Sequence, residues 1–306
     1  MRNKNNNTMD FRLKVFYTVA LRLNFTKAAT ELYISQPAVS KHIQELEETY
    51  KTKLFERNGS KIALTPAGEI LLKHTKNIFE IYREIDFDMS LFINERHGLL
   101  RLGASTTISQ YIISPVLARF HQKQKDIKVN LLNGNTEQIE NALINKEIEI
   151  GIVEGQSKNQ SIKYIPFLKD ELVLVCNTNN SFAKQNEISL EDLKAMKFIT
   201  RERGSGTLEV IEYALKQIDV KITDLQIEMQ LGSTESIKSY LLNSDCFAFM
   251  SIHAVDKELK NNELIVLDVE NLSVERYFYI ITLLGKSDSL SELFIQSISS
   301  YYNLEL

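Results

Sequence analysis

Between Phe11 and Leu64, apolar positions recur at helical spacing in three short runs and then change to extended spacing. Phe11, Val15, Phe16, Val19 and Ala20 form one stripe, Ala28, Ala29 and Leu32 a second, and Val39, Ile43 and Leu46 a third. Thr26 is expected to cap the second helix. Ser35 is expected to cap the third, with Pro37 in its first turn, where a missing N–H costs nothing. The paired alanines suit helices that cross closely. Leu54 and Phe55 return to the core, Glu56 to Lys61 forms a polar loop, and Ile62 to Leu64 reads as an extended return, together a hairpin wing. Thr65 and Pro66 then open another helix.

From Ala67 to about Glu95 there is no proline, and Leu71, Ile78, Ile85 and Phe92 recur every seventh residue, with Ile81, Tyr82 and Met89 widening the stripe. A helix of about 28 residues rises roughly 42 Å, and a seven-residue apolar period points to pairing with a second helix. Beyond it the pattern alternates. Strands are expected at Leu99–Ala104, 127–132, 148–153, 172–175, 198–199, 246–250, 264–267 and 277–284. Helices are expected through Ile112 and Phe120, over 136–144, through Tyr213 and Leu215, through Ile237 and Leu241, and over 289–302. Strand–helix–strand order implies a mostly parallel sheet covered on both faces.

Length and charge refine this picture. A chain of 306 residues is expected to hold two or three domains. No apolar run approaches a membrane span, and the polar, Asn-rich start lacks the apolar segment of a signal peptide, so the cytoplasm is the expected compartment. The net charge of −4 is unevenly spread: residues 1–66 hold 11 Lys/Arg against 6 Asp/Glu, and the remainder 25 against 34. A basic module joined to an acidic one suits DNA contact confined to one end. Cys176 and Cys246 sit in apolar settings and read as core thiols, and the five histidines do not cluster at ligand spacing.

The third helix leaves Gln36, Ala38, Ser40, Lys41 and Gln44 near an exposed edge. Glutamine pairs with adenine, lysine with guanine, alanine with a thymine methyl and serine with phosphate. A solvated helix face is the plainer reading of each residue alone. Arg57 and Lys61 in the wing are placed for phosphate or the minor groove.

Taken together, Phe25-Thr26-Lys27-Ala28-Ala29, Leu32, Ser35 to Ser40, Ile43, Leu46-Glu47, Leu54-Phe55, Arg57 and Leu64-Thr65-Pro66-Ala67-Gly68 make the chain resemble the LysR-type transcriptional regulators. The resemblance implies an α/β protein with an N-terminal winged helix-turn-helix, a long linker helix, and a two-lobed effector-binding domain resembling periplasmic binding proteins. The expected boundaries are a disordered start over 1–10, the DNA-binding domain 11–66 and a dimerising linker 67–96. The effector-binding domain follows over 97–306, with lobe I at 97–168 and 270–306 and lobe II at 169–269. DNA contact is expected from Thr26, Ser35, Gln36, Pro37, Ala38, Ser40, Lys41, Gln44, Arg57 and Lys61. Dimerisation is expected through Leu71, Ile78, Tyr82, Ile85, Met89 and Phe92. The sequence departs from the family pattern at Lys51, where the family commonly has glycine, and at Ser60, which replaces a basic wing residue.

Ligands of parallel sheets bind beyond the carboxyl ends of strands. That selects Ser105, Thr106 and Thr107, then Gly204, Ser205 and Thr207, then Thr234 as effector-binding candidates, with Arg201 and Arg203 as nearby positive charge. Each hydroxyl also reads as an ordinary helix cap. No nucleophile elbow, phosphate loop or dinucleotide fingerprint is present, so no enzyme and no cofactor are expected. A solute receptor for a transporter would leave the first 95 or so residues unexplained. The expected partners are double-stranded DNA, a second copy of the chain (as dimer or tetramer), a small metabolite, anionic by the loop chemistry, and RNA polymerase, but no membrane. The alternative is a cytoplasmic binding protein with DNA affinity and no ligand-dependent switching.

Overall fold

The computed structural model describes residues 10–58, 61–92, 97–155, 158–185, 187–285 and 288–304; the side chains of Arg57, Asn58, Lys61 and Leu91 lie outside the description. The polar start therefore falls, apart from Asp10, outside the described residues, as does Ser60. Contacts divide the chain into two units, Met1–Ile93 and Asn94–Leu306.

The first unit holds α1 (Phe11–Arg22), α2 (Phe25–Leu32), α3 (Gln36–Tyr50), an antiparallel hairpin of β1 (Phe55–Asn58) and β2 (Lys61–Leu64), and the long α4 (Pro66–Phe92). The three stripes meet in one core of Val15, Phe16, Val19, Ala28, Val39, Ile43, Leu46 and Leu54, against which Leu64, Leu71 and Leu72 pack. Phe11 does not join it: a first-turn residue at the rim, it is 39% exposed and sets its ring edge-on to His42 at 5.4 Å. Asn24, not Thr26, caps α2, accepting from Lys27 N at 2.9 Å. Both residue types cap well, and the helix starts two residues before the position a Thr26 cap implies. Ser35 caps α3 as expected, accepting from Ala38 N at 3.3 Å, and Thr65 accepts from Gly68 N at 3.0 Å where α4 begins. A Cβ on Gly68 would strike the Leu54 carbonyl oxygen, so only glycine lets α4 lie this close to the hairpin.

Helices α1, α2 and α3 all end on left-handed residues that are not glycine: Leu23 (φ 44°), Tyr33 (φ 56°) and Lys51 (φ 52°). A residue with a Cβ costs roughly 1–2 kcal/mol in that conformation. Lys51→Gly is therefore expected to raise stability by about 0.5–1 kcal/mol, after the glycine's own entropy is subtracted. Urea unfolding of the amino-terminal unit checks this, and an unchanged or lowered midpoint would contradict it.

The second unit begins with β3 (Gly98–Ser105), α5 (Thr106–Tyr111), α6 (Ile113–Lys123), β4 (Ile127–Gly134), α7 (Thr136–Ile144) and β5 (Ile150–Glu154). A 16-residue strand, β6 (Ile162–Asn177), leads to β7 (Glu187–Ile188), α8 (Leu190–Ala195), β8 (Lys197–Thr200), α9 (Gly206–Gln217), β9 (Gln226–Gln230), α10 (Thr234–Leu241), β10 (Ala248–Ser251), α11 (Ile252–Lys260) and β11 (Leu264–Val269). Then β12 (Glu275–Leu283) and α12 (Ser289–Tyr302) follow. Strand order β4-β3-β5-β12-β6 defines lobe I, and β7-β11-β6-β10 defines the sheet of lobe II, with β8 and β9 beside it. In lobe I only β12 runs against the others, and in lobe II only β6 does. One reversed strand in each lobe leaves the pairing mixed rather than mostly parallel as expected: in the sheet that β6 carries through both lobes, β12 pairs antiparallel with β5 and β6, and β6 antiparallel with β10 and β11, while β3 pairs parallel with β4 and β5, and β11 with β7.

Strand β6 crosses both lobes. Its first half pairs with β12 and its second with β10 and β11. Alternation along that second half places Leu172, Leu174 and Cys176 in a core with Val210, Ile211 and Leu215 of α9. Val173 and Val175 face a second core with Ile237, Leu241 and Val255 of α10 and α11. Cys176 and Cys246 are buried in these separate cores and unbonded, and burial pushes the Cys176 thiol up to about 11. They are core residues.

Candidate functional site

Two surfaces carry the chemistry, one in each unit. On α3, Gln36, Pro37, Lys41 and Gln44 are exposed and Ala38 and Ser40 half-buried. Ser35 and Thr26 are exposed on the same unit. Their ties are weak: Gln36 Nε2 donates to Ser40 Oγ (2.9 Å), Gln44 Nε2 to Glu48 (2.8 Å), and Lys41 Nζ lies 4.0 Å from Glu45. Exposed bonds of this kind exchange readily for ligand. Glu45, Glu47 and Glu48 make the second half of α3 acidic, so its amino-terminal half, where the helix dipole is positive, is the part suited to a polyanion. The hairpin pairs Arg57 with Ile62 and Asn58 with Lys61 through their backbones. The side chains of Arg57 and Lys61 lie outside the described residues.

In the second unit the candidates from three separate loops meet in one interlobe seam. Ser105 ends β3, Thr106 and Thr107 open α5, Ser205 precedes α9, Thr207 lies in its first turn, and Thr234 opens α10; all six are buried. Thr107 and Thr234 bring their hydroxyl oxygens to 3.5 Å across the lobes. Arg201 Nη2 donates to Thr106 Oγ1 (3.4 Å), and Thr106 donates to the Gly134 carbonyl (3.1 Å). Gly204, at φ 81°, offers its carbonyl to Glu137 N of lobe I at 3.1 Å. The cap reading fails for Ser105 and Ser205, neither of which caps its helix through its hydroxyl. Ser233 does cap α10.

Sequence reasoning missed the ionic centre of this seam. Glu154, Asp170 and Arg276, at the ends of β5 and along the crossing strands β6 and β12, are all nearly inaccessible. Ser105 Oγ donates to Glu154 Oε2 and Thr207 Oγ1 to Glu154 Oε1 (3.2 Å). Arg276 donates through Nε to Asp170 Oδ2 (2.7 Å) and through Nη1 to Thr207 Oγ1 (2.9 Å), and its guanidinium lies 5.1 Å from the Phe278 ring centre. Ser251 donates to Asp170 Oδ1 (2.8 Å). A charged residue ending or interrupting an apolar strand was the available signal. Gly206 makes the contact between lobes possible: a Cβ there would land on the Glu154 carbonyl.

Three buried polar atoms of this region have no hydrogen-bond partner: Arg276 Nη2, Thr200 Oγ1 and Ser205 Oγ. Buried donors without partners are costly and mark places where a ligand or water belongs. Ser205 also lines a cavity of about 460 Å³ together with Arg203 and four carboxylates, Glu137, Glu140, Glu209 and Glu212. Burial raises the Glu140 carboxyl, and Glu209 and Glu137 reinforce this against the opposing hydrogen bond from Tyr164. On α10, Tyr111 of lobe I donates to Glu235, and Lys238 pairs with Glu235 and Glu258 at 3.0 Å each. Burial would raise Glu235, but the Tyr111 and Lys238 bonds outweigh it and hold the carboxyl low. Among the described residues no His/Cys/Asp/Glu group is placed to hold a metal ion, and no helix is long and apolar enough to cross a membrane.

Both units have counterparts in known proteins. The model of the bacterial regulatory helix-turn-helix protein, lysR family, matches residues 11–69, and that of the LysR substrate binding domain matches 94–302. The HTH-type transcriptional regulator CysL of Bacillus subtilis is 30% identical over 96% of this chain and 98% of its own length. The regulatory domain of Synechocystis PCC6803 CcmR, solved in complex with 2-PG, is 29% identical, with a TM-score of 0.61 over 67% of this chain and 97% of that domain. Full-length CbnR, solved with its target DNA, shares the fold at a TM-score of 0.68 and 20% identity, over 95% of this chain and 99% of its own. With an exposed α3 on a winged helix, a two-lobed second unit, and family models covering both, this chain belongs to the LysR family of transcriptional regulators.

Proposed function

We propose that this regulator reads operator DNA with Gln36, Ala38, Ser40, Lys41 and Gln44. Thr26, Ser35, Pro37 and the wing residues Arg57 and Lys61 support it on the phosphates. A small anionic metabolite seated in the interlobe seam sets its activity, and the protein works as a cytoplasmic switch rather than a catalyst. The observation that carries the ligand part is the set of partnerless buried atoms, Arg276 Nη2, Ser205 Oγ and Thr200 Oγ1, where an acceptor-rich molecule would complete the bonding. The cavity with four carboxylates disfavours an anion, which favours the hydroxyl and arginine cluster as the seat. That CcmR was solved with 2-PG supports this ligand class, and that CbnR was solved with target DNA supports the DNA role.

Pairing of two copies is proposed through α4. Leu71 packs on its own winged-helix core, but Ile81 (54%), Ile85 (48%), Met89 (56%) and Phe92 (82%) are exposed along the helix. Ile78 and Tyr82 are half-buried beside them. Paired readers recognise two half-sites, which one recognition helix cannot.

Lys41→Ala is expected to lower operator affinity by about 1–3 kcal/mol while leaving oligomer mass unchanged. Titration of labelled operator, with mass photometry alongside, checks it. Full affinity in the variant would remove Lys41 from the interface. Operator affinity and transcription that ignore every small anion tried would favour the reading without a ligand-dependent switch.

A further inference from the structure

Glu154 ends β5 within the interlobe seam and is only 2% exposed. Its carboxylate accepts from Ser105 of lobe I and from Thr207 of lobe II, and Arg276 Nη1 lies 3.7 Å from Oε1. Hydroxyls from opposite lobes plus a guanidinium are the donor set expected around a bound oxyanion. Here a side chain of the protein fills it. The other charges facing the cluster are accounted for: Asp170 holds Arg276 Nε, with His253 Nε2 at 3.9 Å, and Arg201 is paired with Glu202 at 2.8 Å. Arg276 Nη2, like Thr200 Oγ1 and Ser205 Oγ, has no hydrogen-bond partner.

We propose that Glu154 is an internal stand-in for an anionic group of the effector, which binds by displacing this carboxylate from Ser105, Thr207 and Arg276. An anion added beside an unmoved Glu154 would meet a like charge in a low-dielectric seam and find its hydroxyl donors taken. Displacement frees those donors in one step. It also sets the ligand class. A monocarboxylate would only replace like with like, whereas a dianionic oxyanion, phosphate or dicarboxylate, also engages the spare Arg276 Nη2. Because Glu154 bridges the lobes, the ligand-free protein already carries the lobe-to-lobe link that the ligand then takes over. Glu154 is thus a specificity-determining residue, and this role rests on the seam being the effector site.

The test titrates inorganic phosphate into the full chain by calorimetry, using wild type, Glu154→Gln, Glu154→Asp and Ser105→Ala. Melting curves and operator binding verify that each variant folds. Glu154→Gln and Glu154→Asp are both expected to bind phosphate about tenfold or more tightly than wild type. Glu154→Asp is decisive: it keeps the charge but is one methylene too short to hold both hydroxyls. If repulsion alone were at work its affinity would not rise, and that result overturns the stand-in role. Should Ser105→Ala weaken phosphate binding while Glu154→Asp fails to strengthen it, the seam remains the effector site and only the role of Glu154 falls. Absence of phosphate binding in every protein overturns both. Hydrogen exchange on the wild type gives an answer that needs no variant: phosphate should change protection at the end of β5, and no change there counts against displacement.

Discussion

Phe16→Ala is expected to abolish operator binding by unfolding the winged-helix unit while the two-lobed unit stays folded. Phe16 is fully buried, sits 5.5 Å from the ring of Phe55, and fills the point where α1, α2 and α3 converge on the hairpin. Removing such a ring costs about 3–5 kcal/mol through lost transfer energy and the cavity left behind. Domains are stable by only about 5–15 kcal/mol, and one this small sits near the lower end. A small domain loses roughly 4–8 °C per kcal/mol, so its melting transition should fall by more than about 12 °C. Scanning calorimetry of the full chain checks this: the first transition drops and the transition of residues 94–306 does not. A variant that still binds operator at growth temperature would show that the core tolerates the hole.

Arg276→Met should be as damaging to the other unit. The arginine, Asp170 and Glu154 are each at most 4% exposed, and the substitution strands two carboxylates that share one guanidinium. Breaking a buried ion pair from one side costs about 3–5 kcal/mol, more than the pair itself contributes, because an uncompensated charge is left in low dielectric. Ser251 would still donate to Asp170, and Ser105 and Thr207 to Glu154, but hydroxyls carry no full charge. Urea unfolding followed on the two-lobed unit should show the loss. Adding Asp170→Asn to Arg276→Met should recover part of it, since the second change removes one stranded charge. A loss below about 1 kcal/mol in the single variant would mean that water or rearrangement supplies the missing compensation.

The DNA-binding half was legible because its information is local. Stripes three and four residues apart, Ser35 before Pro37 and Thr65 before Pro66 all act within one turn of helix. The slips there were equally local: Thr26 for Asn24, two good capping residues two positions apart, and Phe11, which lies at the rim of the core and not within it. Helices α7 and α12 also ended where the pattern placed them. The crossing strand β6 was read only over its apolar second half. Its first half carries Lys163, Pro166 and Lys169 and is a strand because β12 lies along it. β9, Gln226–Gln230, is mostly exposed and exists because β8 offers a partner. The seam shows the same division. Its hydroxyls follow from a rule about strand ends, and the structure brings them together; Glu154, Asp170 and Arg276 did not stand out. Their bonds span 49 to 106 residues of chain, and a charged residue in a strand declares its partner only once the strands are assembled.

Strands β6 and β12 have a consequence for how such proteins diversify. Glu171 is paired with Glu275, and Leu172 N donates to the Val274 carbonyl at 2.9 Å, so the points where the chain enters and leaves lobe II are neighbours on one ladder. Residues 172–274 therefore form a cassette whose two ends sit side by side, the arrangement that best tolerates insertion and exchange. Recombination at those two points would replace Thr200, Ser205, Thr207 and Thr234 in a single event and keep Ser105, Glu154 and Arg276. A lineage could acquire a new chemical vocabulary on one side of the seam while inheriting the other side, and its DNA reader, unchanged.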